Sequence, residues 1–291
     1  MWFLFAATSA FCFGLRGILY QWTSQKPLDR NLMLFGVYLC GTAVSLAAVL
    51  FTGQDWSYGT VMGVTMGAFS FVSNAAMYKG FAVGKASLVA IFTGLPAVVV
   101  VAAAFLLWGE SPGLGQFGAF IIIIAGILLI RYTNDLSIKN LQGVHWAVLA
   151  MFGFALTDLS SKQSVLWHGE IFPTLAVMYM TGSSLFFLSW WKASRKKGRE
   201  RERADTEQQW SAGRTLLWGF IVGFTNISGM ILILPAFRLG VTGLVTAVIA
   251  TNVLIILCYV RIVLKNRFSR TEIAGIALTL AGVFLLLILE K

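Results

Sequence analysis

Ten apolar runs, most of them about 20 residues long, occupy most of this 291-residue chain. A helical run of that length matches the hydrocarbon thickness of a bilayer. The runs are continuous rather than alternating, and a continuous apolar run in lipid satisfies its own backbone hydrogen bonds only as a helix. Hydrophobic residues make up 58% of the sequence and charged residues 12%, which leaves too little polar surface to cover a water-soluble globule. We therefore predict an all-α membrane protein with ten transmembrane helices. The predicted spans cover residues 2–21, 32–52, 60–78, 86–107, 117–131, 144–166, 172–191, 215–236, 241–263 and 273–289.

Basic residues are concentrated in every second connection between the predicted spans. The odd-numbered connections hold 18 of the 22 lysines and arginines, and the longest of them, 192–214, is a basic loop of mixed charge. Short basic loops remain on the cytoplasmic side of a membrane. We therefore expect an integral protein of the cell membrane with cytoplasmic odd-numbered connections and both termini outside. The net charge of +10 is then an orientation signal, and no nucleic-acid partner is expected.

An internal repeat divides the chain into two similar parts. A shift of 156 residues aligns spans three to five with spans eight to ten without a gap and superimposes four pairs of glycines. Because each unit has five spans, an odd number, the two units must cross the membrane in opposite orientations. We predict two inverted five-helix repeats, 1–142 and 143–291, which is the usual architecture of alternating-access carriers. The alternative is an old duplication that serves only as a scaffold. The superimposed glycines are Gly63 and Gly219, Gly67 and Gly223, Gly84 and Gly240, and Gly126 and Gly282.

Residues 79–130 carry a family pattern: a small-residue helix end, an apolar span with a central proline, a Gly-Glu turn, a Gln-x-x-Gly start and an Ala-Gly pair. This order resembles the drug/metabolite transporter superfamily, specifically its EamA-type branch of ten-span carriers. The second unit departs from the pattern, with Lys265-Asn266 at the Gly-Glu turn and Asn252 in place of the proline. The resemblance implies a carrier of small metabolites, often an exporter of amino acids or related compounds, and leaves the substrate open. Family members are commonly described with cytoplasmic termini, whereas the charge count places both termini outside. The matching positions are Gly84, Pro96, Gly109-Glu110, Gln116 to Ala119, and Ala125-Gly126.

Three charged side chains lie within predicted spans, where ionisable groups are costly and often functional. Asp158, near the middle of span six, is the main candidate for binding a proton or pairing with an amine. Arg16 lies in span one, and three interpretations apply: a pair with Asp158, a bidentate site for a substrate carboxylate, or a side chain that extends to the interface. Lys162 follows Asp158 by four residues, so it is a coupling candidate that would neutralise Asp158 locally.

Several uncharged polar residues also interrupt the predicted spans. Amides within spans either line a polar cavity or form hydrogen bonds between helices. Pro96, and Asn252 at the aligned position of span nine, predict departures from regular helix that would free backbone carbonyls. The uncharged candidates for substrate binding are Asn74, Tyr78, Asn226, Thr93 and Asn252.

The motifs that would indicate other classes of protein do not occur in the sequence. A GxxxxGK[ST] phosphate loop is missing, which favours an ion gradient or exchange over direct ATP coupling. H-E-x-x-H and G-x-S-x-G are also missing, and Cys12, Cys40 and Cys258 have no metal-ligand spacing. We therefore predict a secondary transporter of a small polar metabolite, without a cofactor or a metal, that is not an enzyme. An intramembrane enzyme and a scaffold or lipid-translocating protein are the alternatives, and the sequence leaves the oligomeric state open.

Overall fold

The computed structural model describes residues 1–131, 143–200, 210–263 and 269–289, and these residues form helices and short connections without a strand. Nine helical segments of this described part are long and apolar enough to cross a membrane, and a tenth apolar helix, Leu114–Ile130, is shorter. The predicted all-α membrane fold is confirmed. The helices are α1 (Trp2–Ser24), α2 (Arg30–Thr52), α3 (Met62–Val83), α4 (Ala86–Thr93), α5 (Pro96–Trp108), α6 (Leu114–Arg131), α7 (Val144–Leu166), α8 (Ile171–Glu200), α9 (Ala212–Leu239), α10 (Thr242–Ile249), α11 (Asn252–Val263) and α12 (Arg270–Leu289).

Some predicted features fall partly beyond the described residues. In the basic loop 192–214, α8 continues as helix to Glu200 and α9 begins at Ala212, whereas 201–209 lie outside the description. The predicted boundary between the two repeats at 142 and the Lys265-Asn266 pair also lie outside it.

Spans four and nine are each broken near the middle, as Pro96 and Asn252 predicted. Span four consists of α4 and α5 and span nine of α10 and α11. Proline has no amide hydrogen to donate and its ring displaces the carbonyl four residues earlier, so α5 begins anew at Pro96. Tighter three-residue hydrogen bonds replace the regular pattern at both breaks, from Leu95 N to Phe92 O and from Thr251 N to Val248 O.

The first helices of the two units match residue by residue. Both α1 and α7 contain 23 residues, and Arg16 and Asp158 are each the fifteenth residue of their helix. These helices are therefore related by a shift of 142 positions, whereas α3 to α6 match α9 to α12 at a shift of 156. The register changes because α8 is seven residues longer than α2 and the stretch that follows it, up to the residue equivalent to the start of α3, is also longer.

The second helices of the units carry the same Tyr-x-x-Gly sequence, at Tyr38 and Gly41 in α2 and at Tyr179 and Gly182 in α8. A Cβ on Gly41 would overlap the ring of Tyr179, and a Cβ on Gly182 would overlap the ring of Tyr38. The two buried rings lie with centroids 5.5 Å apart. A contact that recurs with its partners exchanged is the mark of two-fold symmetry. The pseudo-two-fold axis of the protein therefore passes between α2 and α8.

The Gly-x-x-x-Gly pairs of α3 and α9 bind the two units to each other. A Cβ on Gly67 would lie 2.5 Å from the carbonyl oxygen of Met178 in α8, and a Cβ on Gly223 would lie 2.6 Å from that of Val37 in α2. Met178 and Val37 are 141 positions apart, as are the two tyrosines, so these contacts are also reciprocal. Small residues allow such close approach of helix backbones. The third span of each unit thus packs against the second span of the other unit.

A methyl group added at the reciprocal tyrosine–glycine contact between α2 and α8 is expected to destabilise the fold. In Gly182→Ala the new methyl group meets the ring of Tyr38, and overpacking of this kind costs about 1–3 kcal/mol of unfolding free energy. The melting temperature of the purified protein in detergent should therefore fall. Gly118→Ala is the matched control, because a Cβ at Gly118 in α6 meets nothing within 4 Å and alanine favours the helix. Equal melting temperatures for the two variants would contradict the reciprocal packing.

Candidate functional site

A small cavity lies at the centre of the fold, between the two units. Its volume is about 40 Å³, which suits a few water molecules at roughly 10–15 Å³ each. Helices of both units line it, and the breaks in spans four and nine bring the first residues of α5 and α11 to its wall. The polar lining residues are Arg16, Ser70, Thr93, Thr157, Asp158, Thr246 and Asn252, and the apolar ones include Phe13, Pro96, Phe154, Met230 and Ile249.

Arg16 reaches the cavity from α1 and is held by an amide. Its Nη1 donates to the Oδ1 of Asn226 at 2.8 Å, and its guanidinium carbon lies 4.5 Å from the ring centroid of Phe13 and 5.2 Å from that of Phe154. Its exposed fraction is only 7%, so the interpretation of Arg16 as an interfacial side chain is wrong. Arg16 and Asp158 are electrostatic neighbours, but no ion pair joins them in the described chain. Asn226 takes the place of the expected carboxylate.

A hydrogen-bonded cluster beside Arg16 joins α2 to α3. The hydroxyl of Tyr38 lies 2.6 Å from the Oγ of Ser70, and the Nδ2 of Asn74 donates to the Tyr38 hydroxyl at 2.9 Å. Asn74 therefore forms an interhelical bond and does not line the cavity. Tyr78 also lies behind the wall, with its ring edge-on to Tyr20 at 5.6 Å.

The structure thus brings together part of the predicted set. Asp158, Arg16, Thr93, Pro96 and Asn252 line one cavity. The cavity has further polar lining that the sequence analysis missed, from Ser70, Thr157 and Thr246. Serine and threonine are common in apolar helices, so their presence in a span does not indicate a cavity. Only the break in span nine indicates that Thr246 lies at one. The substrate-binding roles themselves remain predictions.

Several buried polar atoms in this part of the protein have no hydrogen-bond partner. They are Arg16 Nε, the hydroxyls of Tyr20 and Tyr179, Asn226 Nδ2 and Asn74 Oδ1. Tyr20 and Tyr179 were missed as functional candidates because aromatic residues are common in apolar spans. The repeated Tyr-x-x-Gly sequence was the signal that distinguished Tyr179.

Lys162 does not neutralise Asp158, and that expectation is corrected. Its Nζ lies 2.9 Å from the Oε1 of Glu110 and donates to the carbonyl oxygen of Phe237 at 3.1 Å. Glu110 also accepts from Thr242, at 2.8 Å from the backbone amide and at 3.1 Å from the hydroxyl. Glu110 follows the end of α5, and its carboxylate lies at the N-terminus of α10, where the helix dipole favours a negative charge. Lys162 therefore pairs with Glu110, which follows another helix, rather than with Asp158 on its own helix.

The even-numbered connections lie on one side of the membrane, which we call the even-numbered face. The fourth, sixth and eighth connections meet the membrane there at Glu110, Lys162, Phe237 and Thr242, and we call these four residues the even-face latch. It joins α5, α7, α9 and α10. The side chains of Lys162 and Glu110 are 10% and 19% exposed, so bulk water screens the pair only weakly.

Two inverted five-helix units around a charged cavity, with a broken helix in each unit, define the class of protein as a membrane protein of transporter architecture. The EamA-like transporter family model matches residues 1–132 and 141–288. The chain belongs to this family, which is part of the drug/metabolite transporter superfamily and whose members are transporters rather than enzymes.

One solved crystal structure confirms the fold over the whole chain. It is similar to this protein with a TM-score of 0.70 and 14% sequence identity, and the match covers 99% of this chain and 98% of the other. Among curated proteins, none matches the sequence significantly. The fold and the family of this chain are therefore established.

The latch is expected to stabilise the fold as a coupled pair. Glu110→Gln leaves the ammonium of Lys162 without a counter-ion, and loss of one partner of a buried pair costs up to about 3–5 kcal/mol. Each of Glu110→Gln and Lys162→Met should lower the melting temperature in detergent, and the double variant should lose less than the sum. Lys192→Met, at an exposed position of α8, is the control and should leave the melting temperature unchanged. Strictly additive losses would show that the two charges act independently.

Proposed function

We propose that this protein is a secondary carrier that moves a small polar metabolite by alternating access. The observation that carries the proposal is the placement of Arg16 and Asp158 at equivalent positions of two inverted units, both on the wall of one central cavity. When inverted units rock against each other, a site between them faces one side of the membrane and then the other. The family membership supports transport in general, and the cavity supports a polar substrate such as an amino acid or a related compound.

The even-face latch suggests which side of the cavity is closed in this conformation. Four helices are joined at the even-numbered connections by one carboxylate and one ammonium group. At the opposite face, the position equivalent to Lys162 holds Tyr20, and the position equivalent to Thr242 holds Ala86. These two equivalent positions therefore hold neither a lysine nor a threonine. Opening toward the even-numbered face requires the latch to separate, whereas opening toward the other face leaves it intact.

We propose that Asp158 couples transport of the substrate against its gradient to the movement of protons. Its carboxylate lies on the wall of the cavity, Lys162 pairs with Glu110, and the hydrogen bond of Arg16 goes to Asn226. A carboxylate in this position binds a proton or a cation more readily than one that is held in an ion pair. Uptake of a proton at one face and its release at the other would couple the carrier to a proton gradient. With the odd-numbered connections in the cytoplasm, as the basic residues predict, the latch would close the external face.

Transport is tested with protein reconstituted in liposomes. Counterflow of pooled radiolabelled amino acids, amines and sugars, with and without an imposed proton gradient, should identify at least one compound that moves only in the presence of the protein. Failure of every pool in both modes would contradict the carrier function.

Asp158→Asn should abolish proton-driven uptake of the compound so identified, because the amide cannot bind and release a proton. Exchange of the same compound should persist, since it needs no net proton movement. Asp55→Asn changes an exposed carboxylate outside the helices and serves as the control. Full pH-driven uptake by Asp158→Asn would remove Asp158 from the coupling mechanism.

A further inference from the structure

We propose that Arg16 and Asn226 form an oxyanion subsite that binds a carboxylate of the substrate. The inference rests on the proposed carrier function and goes further, because it specifies one chemical group that the substrate must contain.

The orientation of the Asn226 amide follows from its bond to Arg16. A guanidinium group has only hydrogen-bond donors, so the amide atom that lies 2.8 Å from Arg16 Nη1 must be the oxygen. The other amide atom, Nδ2, is therefore a donor, and it is buried without a partner in a residue that is 1% exposed. One buried donor beside the guanidinium thus requires an acceptor.

Arg16 supplies a second donor with the same requirement. Its Nε is buried and has no partner. This nitrogen belongs to the edge of the guanidinium that binds carboxylates through two parallel hydrogen bonds. Asp158 is an electrostatic neighbour of Arg16, but it lies beyond ion-pair distance in the described chain and so does not supply the acceptor. A carboxylate has two acceptor oxygens, one for each of these two unpartnered donors.

Two tyrosine hydroxyls add further hydrogen-bond donors close to Arg16. The hydroxyls of Tyr20 and Tyr179 are fully buried and unpartnered, and both residues are electrostatic neighbours of Arg16. Each hydroxyl can donate to an anion as Nε and Nδ2 do. Asp158 also lines the cavity, and its carboxylate disfavours an anion beside it. A carboxylate is therefore expected at the part of the cavity wall that Arg16 forms.

Acetate is a suitable probe because it presents a carboxylate with almost no other structure. Purified full-length protein in detergent is titrated with acetate at constant ionic strength, and the melting temperature is recorded. Acetamide, a neutral molecule of the same shape, is titrated in parallel. We expect a saturable rise with acetate and none with acetamide. Equal effects of the two molecules, or no effect of acetate, would overturn the subsite.

Variants then assign the binding to the two side chains. Arg16→Gln removes the guanidinium and should abolish the acetate effect. Asn226→Asp places a carboxylate beside Arg16, so it should keep or raise the melting temperature while it weakens acetate binding at least tenfold. If Arg16→Gln does not fold, Asn226→Asp still tests the subsite. Asn31→Asp, the same change at the start of α2 and away from the cavity, should bind acetate normally. Unchanged acetate binding by Asn226→Asp would overturn the proposal.

The experiment also separates this inference from the carrier function, because it measures binding without transport. A protein that moves a neutral compound and ignores acetate would keep the carrier function and lose the oxyanion subsite. A protein that binds acetate through Arg16 and moves no compound would keep the subsite and lose the carrier function.

Discussion

Close backbone approach between helices of opposite units is the constraint on which this fold depends. Apolar side chains gain nothing by leaving lipid for one another, so helices associate where small residues let their backbones and packing surfaces meet. Glycines provide these meeting points here, and each contact recurs with its partners exchanged, as at Gly67 and Gly223 or at Gly41 and Gly182. The two units therefore interlock across a pseudo-two-fold axis, and a cavity remains where spans four and nine break.

The symmetry of the backbone contrasts with the chemistry of the side chains. Arg16 and Asp158 occupy equivalent places with opposite charges, and Lys162 of the even-face latch is matched by an uncharged tyrosine. An inverted repeat makes the two open states similar in packing, so differences between them must come from such unmatched residues. In the proposed carrier, the latch would bias the conformational equilibrium, and the cavity charges would distinguish the groups of a bound molecule.

Sequence reasoning predicted the features that depend on local patterns. Continuous apolar runs, the helix breaks at Pro96 and Asn252, and the glycine pairs were all visible as spacing along the chain. Contacts between helices were harder to predict, because spacing does not show which spans meet. Lys162 was assigned to Asp158 on the same helix, yet Glu110 from another span is its partner. The repeat was detected only between spans three to five and spans eight to ten. The first two spans of each unit are related by a shift of 141 or 142 residues rather than 156, because the stretch from α8 into α9 is longer than that from α2 into α3.

The central claim is that one cavity opens alternately to the two faces, and side-specific labelling of a cavity residue tests it most directly. Thr246→Cys, in protein whose native cysteines Cys12, Cys40 and Cys258 are replaced by serine, places a thiol on the cavity wall. A membrane-impermeant maleimide is then applied to either face of oriented vesicles. We expect reaction from the odd-numbered face while the latch is intact, and from the even-numbered face once Glu110→Gln has broken it. Reaction from the same single face in both proteins would contradict alternating access.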